Sequence, residues 1–283
     1  MKKTVKTLLD MKAKGEKIAQ LTCYDYTTAR LMDEAGVDMI LVGDSLGMTM
    51  QGYNDTLPVT LDEMIVYGRS VARACKETFV VLDMPFMSYQ ISPAQALESA
   101  GRMMKEAPGI SAVKLEGGVH IAPQIKAITE AGIPVVGHVG MTPQSVNALG
   151  GFKVQGKGEE NAERVLQDAL AVQEAGAFAI TLECVPPKLA TLITKKLDII
   201  TIGIGASNGC DAQVLVYQDM LNMTTGGIAP KFVRHFANIG DEMKKAFTEY
   251  QAAVKDQSFP AVEHTYPKSD CSDEFLASLD AKY

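Results

Sequence analysis

The sequence predicts a closed (β/α)8 barrel, and three observations carry that prediction. Short apolar runs without polar alternation recur about eight times along the chain. The segments between them have helical periodicity, with apolar residues three and four apart. The chain is 283 residues long and contains no low-complexity linker, so all the units fit one body. Strands apolar on both faces and alternating with helices form a parallel sheet. About eight such units in this length favour a closed barrel over a doubly wound sheet.

The expected strands are 18–23 (IAQLTC), 39–42 (MILV), 79–85 (FVVLDMP), 111–117 (SAVKLEG), 133–140 (IPVVGHVG), 178–184 (FAITLEC) and 199–206 (IITIGIGA), with a weaker last one at 214–217 (VLVY). Helices are expected over YTTARLMDEAGV, SPAQALESAGRMMKEA, IAPQIKAITEAG and NAERVLQDALAVQEAG. Several end in Ala-Gly, where glycine suits the left-handed turn that closes a helix. Ser92-Pro93 reads as a helix start, serine capping and proline in the first turn. The whole chain, 1–283, reads as one barrel domain. From about Asp241 it becomes polar and irregular, an extension holding one further helix and a flexible end.

Composition narrows the function. Hydrophobic residues make up 47% and charged residues 22%, which is globular and supplies a sizeable core. A net charge of −7 argues against nucleic acid or an anionic membrane as partner of the whole surface. Five cysteines, scattered and odd in number, fit neither a disulfide framework nor a zinc knuckle and suit a reducing cytoplasm. The N-terminal MKKTVKTLLDMKAKGEK is too charged for a signal peptide, and no run reaches the ~18 apolar residues of a membrane span. A soluble cytoplasmic protein is expected.

In a barrel the C-terminal strand ends converge on one site. Strand two ends in Gly43-Asp44-Ser45, and strand three carries Asp83 before Met84-Pro85. Strand four has Lys114 and Glu116, two apart and therefore on one side. Strand five carries His138, and strand six ends in Glu183-Cys184. Each has a bland reading. Asp44 would be a helix N-cap, Lys114 and Glu116 a mutual ion pair, His138 a satisfied core histidine, and Glu183 a stabiliser of the next helix N-terminus. Together these need several unrelated explanations for one recurring position.

Three carboxylates with a lysine and a histidine suit a hard divalent cation such as Mg2+ better than zinc, which favours His and Cys. Such an ion leaves positions open for a bidentate 2-oxo acid and acidifies the carbon beside its carbonyl. A carboxylate off the metal would then take the proton, and Glu183 is the candidate.

At these residues the chain resembles the ketopantoate hydroxymethyltransferase family. The stretches that carry the resemblance are VGDSLGMTMQGY, TLPVT, DMPFMSY, VKLEGG, GHVGMTPQS, GGFKVQGKG, LECVP and IGIGA, in that order between Leu21 and about Phe236. It implies a barrel of the phosphoenolpyruvate mutase/isocitrate lyase type. The implied reaction transfers a one-carbon unit from 5,10-methylenetetrahydrofolate to 3-methyl-2-oxobutanoate through a Mg2+-bound enolate. The product is 2-dehydropantoate, the first committed compound toward pantothenate and coenzyme A. Carried over by position, Asp44, Asp83 and Glu116 make the magnesium site. Asp44, Ser45, Asp83 and Lys114 contact the 2-oxo acid, His138 lies in the same pocket, and Glu183 is the proton acceptor. A large homo-oligomer, decameric on the family's bacterial pattern, is also implied. Ser207 after IGIGA and the run before Pro230-Lys231-Phe232 depart from the pattern.

Two other readings compete. A carbon–carbon lyase on the same scaffold would rely on a loop cysteine as acid, for which Cys184 before Val185-Pro186 is poorly placed. A catalytically inert metabolite-binding or assembly protein would have no use for a free base at a strand end.

Overall fold

A computed structural model describes residues 2–223, 230–266 and 270–283. Eight parallel strands close into a barrel in sequential order: β1 (Ile18–Thr22), β2 (Met39–Val42), β3 (Phe79–Asp83), β4 (Ala112–Glu116), β5 (Val135–Gly140), β6 (Ala179–Glu183), β7 (Ile200–Ile204) and β8 (Ala212–Leu215). Strand β8 pairs back with β1, from Ile18 opposite Ala212 to Leu21 opposite Leu215. It lies two residues earlier than the 214–217 expected from its apolar run. Gln213 interrupts that run, while Tyr217 already begins a short helix and donates its N–H to Thr22 Oγ1 at 3.1 Å.

The alternation along each strand separates two cores. Met39, Leu41, Phe79, Val81, Ala112, Val136, Ala179, Ile200 and Ile202 fill the inside of the barrel. Ile40, Val42, Val80, Leu82, Val113, Leu115, Val135 and Ile180 face out under the helices. The charged N-terminal segment forms a helix, Val5–Lys14, started by Thr4, whose Oγ1 accepts the Thr7 N–H at 3.2 Å. Its Leu8 is fully buried in the inner core, so this helix stoppers the barrel at the end opposite the strand C-termini.

The helix signals hold. Ser92 caps Pro93–Glu106 by accepting the Gln95 N–H, and the glycines of three Ala-Gly endings, Gly36, Gly132 and Gly176, have φ of 79°, 83° and 96°. The C-terminal extension holds two helices, Ile239–Lys255 and Asp273–Lys282. The second replaces an irregular end; Ser272 starts it by accepting the Phe275 N–H, a cap hidden in an otherwise polar stretch. Neither buries a residue.

One carboxylate ties the helical layer to β3. Asp33, in the helix Tyr26–Glu34, accepts N–H bonds from Lys76, Glu77 and Thr78 at 2.8–3.0 Å and the Thr78 hydroxyl at 2.8 Å. Burial pushes its carboxyl up, but these donors win and hold it down to about 2. A lowered native pKa stabilises the fold above the unfolded value of about 3.9 and loses that contribution as pH falls toward about 2. Asp33→Ala is expected to cost about 1 kcal/mol in urea unfolding at pH 7, discounted for its partial exposure. The deficit should shrink steadily when unfolding is repeated between about pH 4 and 2.

Candidate active site

The parallel register brings the strand-end residues together. It sets Asp83 beside Lys114, Glu116 beside His138, and Gly140 beside Glu183. Lys114 Nζ donates to Asp83 Oδ1 at 2.6 Å, both side chains buried. The mutual Lys114–Glu116 pair is therefore not what forms; the register gives the lysine to β3. His138 stands between two carboxylates, with Nδ1 3.4 Å from Glu116 Oε1 and Nε2 3.2 Å from Glu183 Oε2. Neither contact closes as a hydrogen bond of good geometry, and the imidazole is held between the two carboxylates. Burial lowers its proton affinity, yet Glu116 and Glu183 raise it to about 9, making it an imidazolium at neutral pH.

Asp44 is not a helix cap. Its carboxylate Oδ2 accepts from Gln144 Nε2 at 2.8 Å, and its backbone N–H donates to Asp83 Oδ2 at 3.2 Å. Burial first, then the charges of Asp83 and Glu116, push its carboxyl up to about 8. Burial also raises Asp83, with Lys114 opposing. Ser45 is half-buried on the rim, its Oγ 2.9 Å from the Tyr24 hydroxyl.

Glu183 does not cap the following helix, Pro187–Lys196, which starts at Pro186 without a side-chain bond. Its side chain is 15% exposed against 4% for Glu116, so of these two carboxylates facing His138 it is the one open to the mouth. Gly140 makes that position reachable. At φ 95° a Cβ there would lie 2.3 Å from the Glu183 carbonyl, which accepts the Met141 N–H at 2.8 Å. Only glycine lets β5 and β6 end this close together.

Three partners escaped sequence reasoning: Tyr24, Tyr89 and Gln144. Tyr89 and Gln144 stand inside the motifs DMPFMSY and GHVGMTPQS, but as neutral groups they give no charge signal. Ser207 belongs to a turn: its Oγ sits 2.9 Å from Thr191 Oγ1 and accepts the Gly209 N–H. The run 224–229 lies outside the described residues.

Four carboxylates (Asp44, Asp83, Glu116 and Glu183) face one ammonium and one imidazolium. With all four ionised, as a bound cation would hold them, the formal excess is two negative charges, which one divalent cation matches. Among the described residues, no three His, Cys, Asp or Glu side chains are grouped closely enough to hold a metal ion by themselves. That donor chemistry fits Mg2+, which keeps several waters and takes one or two carboxylates.

Residues 2–262 match the family described as Ketopantoate hydroxymethyltransferase. The chain belongs to this family. Proteins named 3-methyl-2-oxobutanoate hydroxymethyltransferase are 57% identical over 266 residues in Clostridium novyi, covering 94% of this chain and 96% of that one. They are 55% identical over 270 residues in Enterococcus faecalis (95% and 98%), and 54% over 267 in Emericella nidulans (94% and 76%). Among solved structures, phosphonopyruvate hydrolase complexed with oxalate and Mg2+ superposes with TM-score 0.60 at 12% identity, covering 99% of this chain and 96% of that one. The 2,3-dimethylmalate lyase of the PEP mutase/isocitrate lyase superfamily gives 0.59 at 16%, covering 98% of each. These likenesses concern the barrel alone, which this ketopantoate hydroxymethyltransferase family member shares.

The buried Asp83–Lys114 pair should be costly to break. Lys114→Met keeps most of the volume but leaves a buried carboxylate unpaired, and urea unfolding at pH 7 is expected to show a loss of about 3–5 kcal/mol. A loss below about 1 kcal/mol would mark the pair as solvated.

Proposed function

We propose that this chain transfers a hydroxymethyl group from 5,10-methylenetetrahydrofolate to 3-methyl-2-oxobutanoate, giving 2-dehydropantoate and tetrahydrofolate. The observation that carries this reading is near-full-length identity to proteins named for that activity, at 52–57%, on a chain whose ionisable strand ends share one mouth.

Asp44, Asp83 and Glu116 would hold Mg2+, directly or through water, with 5,10-methylenetetrahydrofolate as co-substrate. Bound there, the cation supplies Lewis-acid polarisation of the 2-oxo group. The chain's own residues do the rest. Asp44, Ser45, Asp83 and Lys114 line the place for the 2-oxo acid, and the Lys114 ammonium offsets negative charge growing on its oxygen. Glu183, the open carboxylate, removes the C3 proton as general base. The imidazolium of His138, 3.2 Å away, would orient Glu183 and, in this reading, hydrogen-bond a substrate or product oxygen. The enolate carbon would bond to the methylene carbon of the folate in its iminium form, the C=N electron pair passing to N5. Water would then cleave the bond from that carbon to N5, its hydroxyl staying on the carbon as the product alcohol and its proton going to N5 to give tetrahydrofolate.

The lyase reading is not favoured. The Cys184 thiol is pushed up to about 11 by burial and then by Glu183. The residue is held at φ 50°, its N–H bonded to Ile204 and its carbonyl to Gln155. A group so fixed is poorly suited to deliver a proton from a moving loop.

Five free cysteines support a reducing cytoplasm, and among the described residues no helix is long and apolar enough to cross a membrane. The helix Ile239–Lys255 leaves Met243, Phe247, Tyr250 and Val254 exposed along one side, which supports self-association. Light scattering should return a multiple of 30.4 kDa, up to the decamer; a monomer at working concentration would refute the oligomer.

The test of the activity is folate-dependent hydroxymethylation of 3-methyl-2-oxobutanoate, lost in EDTA and restored by Mg2+. The test of the base is exchange of the C3 hydrogen in D2O, followed by 1H NMR. Glu183→Gln keeps the size of the side chain but removes the basic oxygen. Exchange and turnover are expected to fall together by about 10²–10⁴-fold while the 2-oxo acid still binds. Wild-type exchange in the variant would move the base elsewhere.

A further inference from the structure

Gln144 sits just past β5, in a single 3-10 turn, Pro143–Ser145, and its side chain is buried among the ionisable groups without carrying a charge. A primary amide has two N–H donors and an oxygen with two lone pairs, and burying it requires partners for them. All are filled. Nε2 donates to Asp44 Oδ2 at 2.8 Å and to the Met84 carbonyl at 2.9 Å. Oε1 accepts from the Tyr89 hydroxyl at 2.7 Å and from Gln90 Nε2 at 3.1 Å. A flipped amide would set its oxygen against two acceptors, so the network admits one orientation.

The main chain of the same residue reaches a second carboxylate: Gln144 N–H donates to Glu116 Oε2 at 3.0 Å. Tyr89 reinforces this side, its buried hydroxyl accepting the Glu116 N–H at 3.0 Å while donating to Gln144. One residue thus holds one oxygen of each of two carboxylates that come from the ends of β2 and β4. Asp44 Oδ1 is left without a hydrogen bond among the described residues, and Glu116 Oε1 is turned toward His138. Hydrogen bonds are directional, so these fix the rotation of each carboxyl group as well as its place. The amide oxygen itself, with two donors on it, has no capacity left for a cation.

We infer that Gln144, supported by Tyr89, is the positioning residue that decides which oxygens of Asp44 and Glu116 face the mouth, and so sets the affinity for the divalent cation. This rests on the metal reading above. Partners that orient ligating side chains typically carry 10–100-fold in metal affinity. A purely structural role would instead lower thermal stability and leave cation binding by the folded protein unchanged.

The probe is Mn2+ alone, titrated into the full chain after EDTA treatment. Free ion is counted by electron paramagnetic resonance, and the Tm is measured alongside. Gln144→Leu keeps the approximate volume and loses the side-chain bonds; its Mn2+ affinity is expected to fall about 10–100-fold. Tyr89→Phe keeps the ring and loses the hydroxyl, for a smaller fall. Because the tyrosine bonds the glutamine as well as the Glu116 N–H, the double variant should fall by less than the two single changes combined. Folded variants whose Mn2+ affinity is indistinguishable from wild type would overturn the assignment. Should Gln144→Leu not fold, Tyr89→Phe decides in the same way. A wild-type protein that binds no Mn2+ overturns the metal reading and this assignment together, whereas tight wild-type binding with unaffected variants overturns this assignment alone.

Discussion

Burying several like charges at one end of a barrel is the constraint around which this molecule is arranged. Each carboxylate withdrawn from water costs several kcal/mol unless a cation or aligned donors offset it. Lys114 answers for Asp83, the imidazolium of His138 lies between Glu116 and Glu183, and Gln144 gives N–H bonds to Asp44 and Glu116. These do not suffice, and the rise of Asp44 to about 8 shows where the remaining negative charge presses hardest. A site in this state has high affinity for positive charge, and its mouth is where a divalent ion and an anionic 2-oxo acid would meet.

The scaffold serves that end by keeping the lining beneath the charged layer mostly apolar. There lie Val81, Ala112, Val136 and Ala179, with Gln20 of β1 a buried polar exception, and Leu8 seals the far end from the N-terminal helix. Water therefore reaches the charged layer from one side. Low surrounding polarity strengthens each electrostatic contact, which is what a base and a charge-stabilising lysine both require. Gly140 matters for the same reason: without the close passage of β5 over the Glu183 carbonyl, the Glu183 carboxylate would not stand 3.2 Å from His138.

Much of this was legible in the residues. Alternation of doubly buried strands with capped helices identified the barrel. Asp44, Asp83, Lys114, Glu116, His138 and Glu183 stood out because ionisable residues at the ends of apolar runs are expensive and recur at one structural position. Gln144, Tyr89 and Tyr24 did not stand out, since neutral polar residues in loops are common and their meaning depends on what they touch. The start of β8 and the last helix were misplaced where polar residues blurred the pattern, at Gln213 and after Ser272.

Sequence by itself determined the fold, the family and the cast of charged residues, because hydrophobic period and strand-end chemistry are local along the chain. Tertiary structure alone decided the pairings: Lys114 with Asp83 rather than Glu116, His138 shared between Glu116 and Glu183, and Gln144 bridging two carboxylates. The reason is that neighbours across a parallel barrel are set by register between strands some twenty to forty residues apart, and a one-residue slip would turn every one of these side chains to the other face.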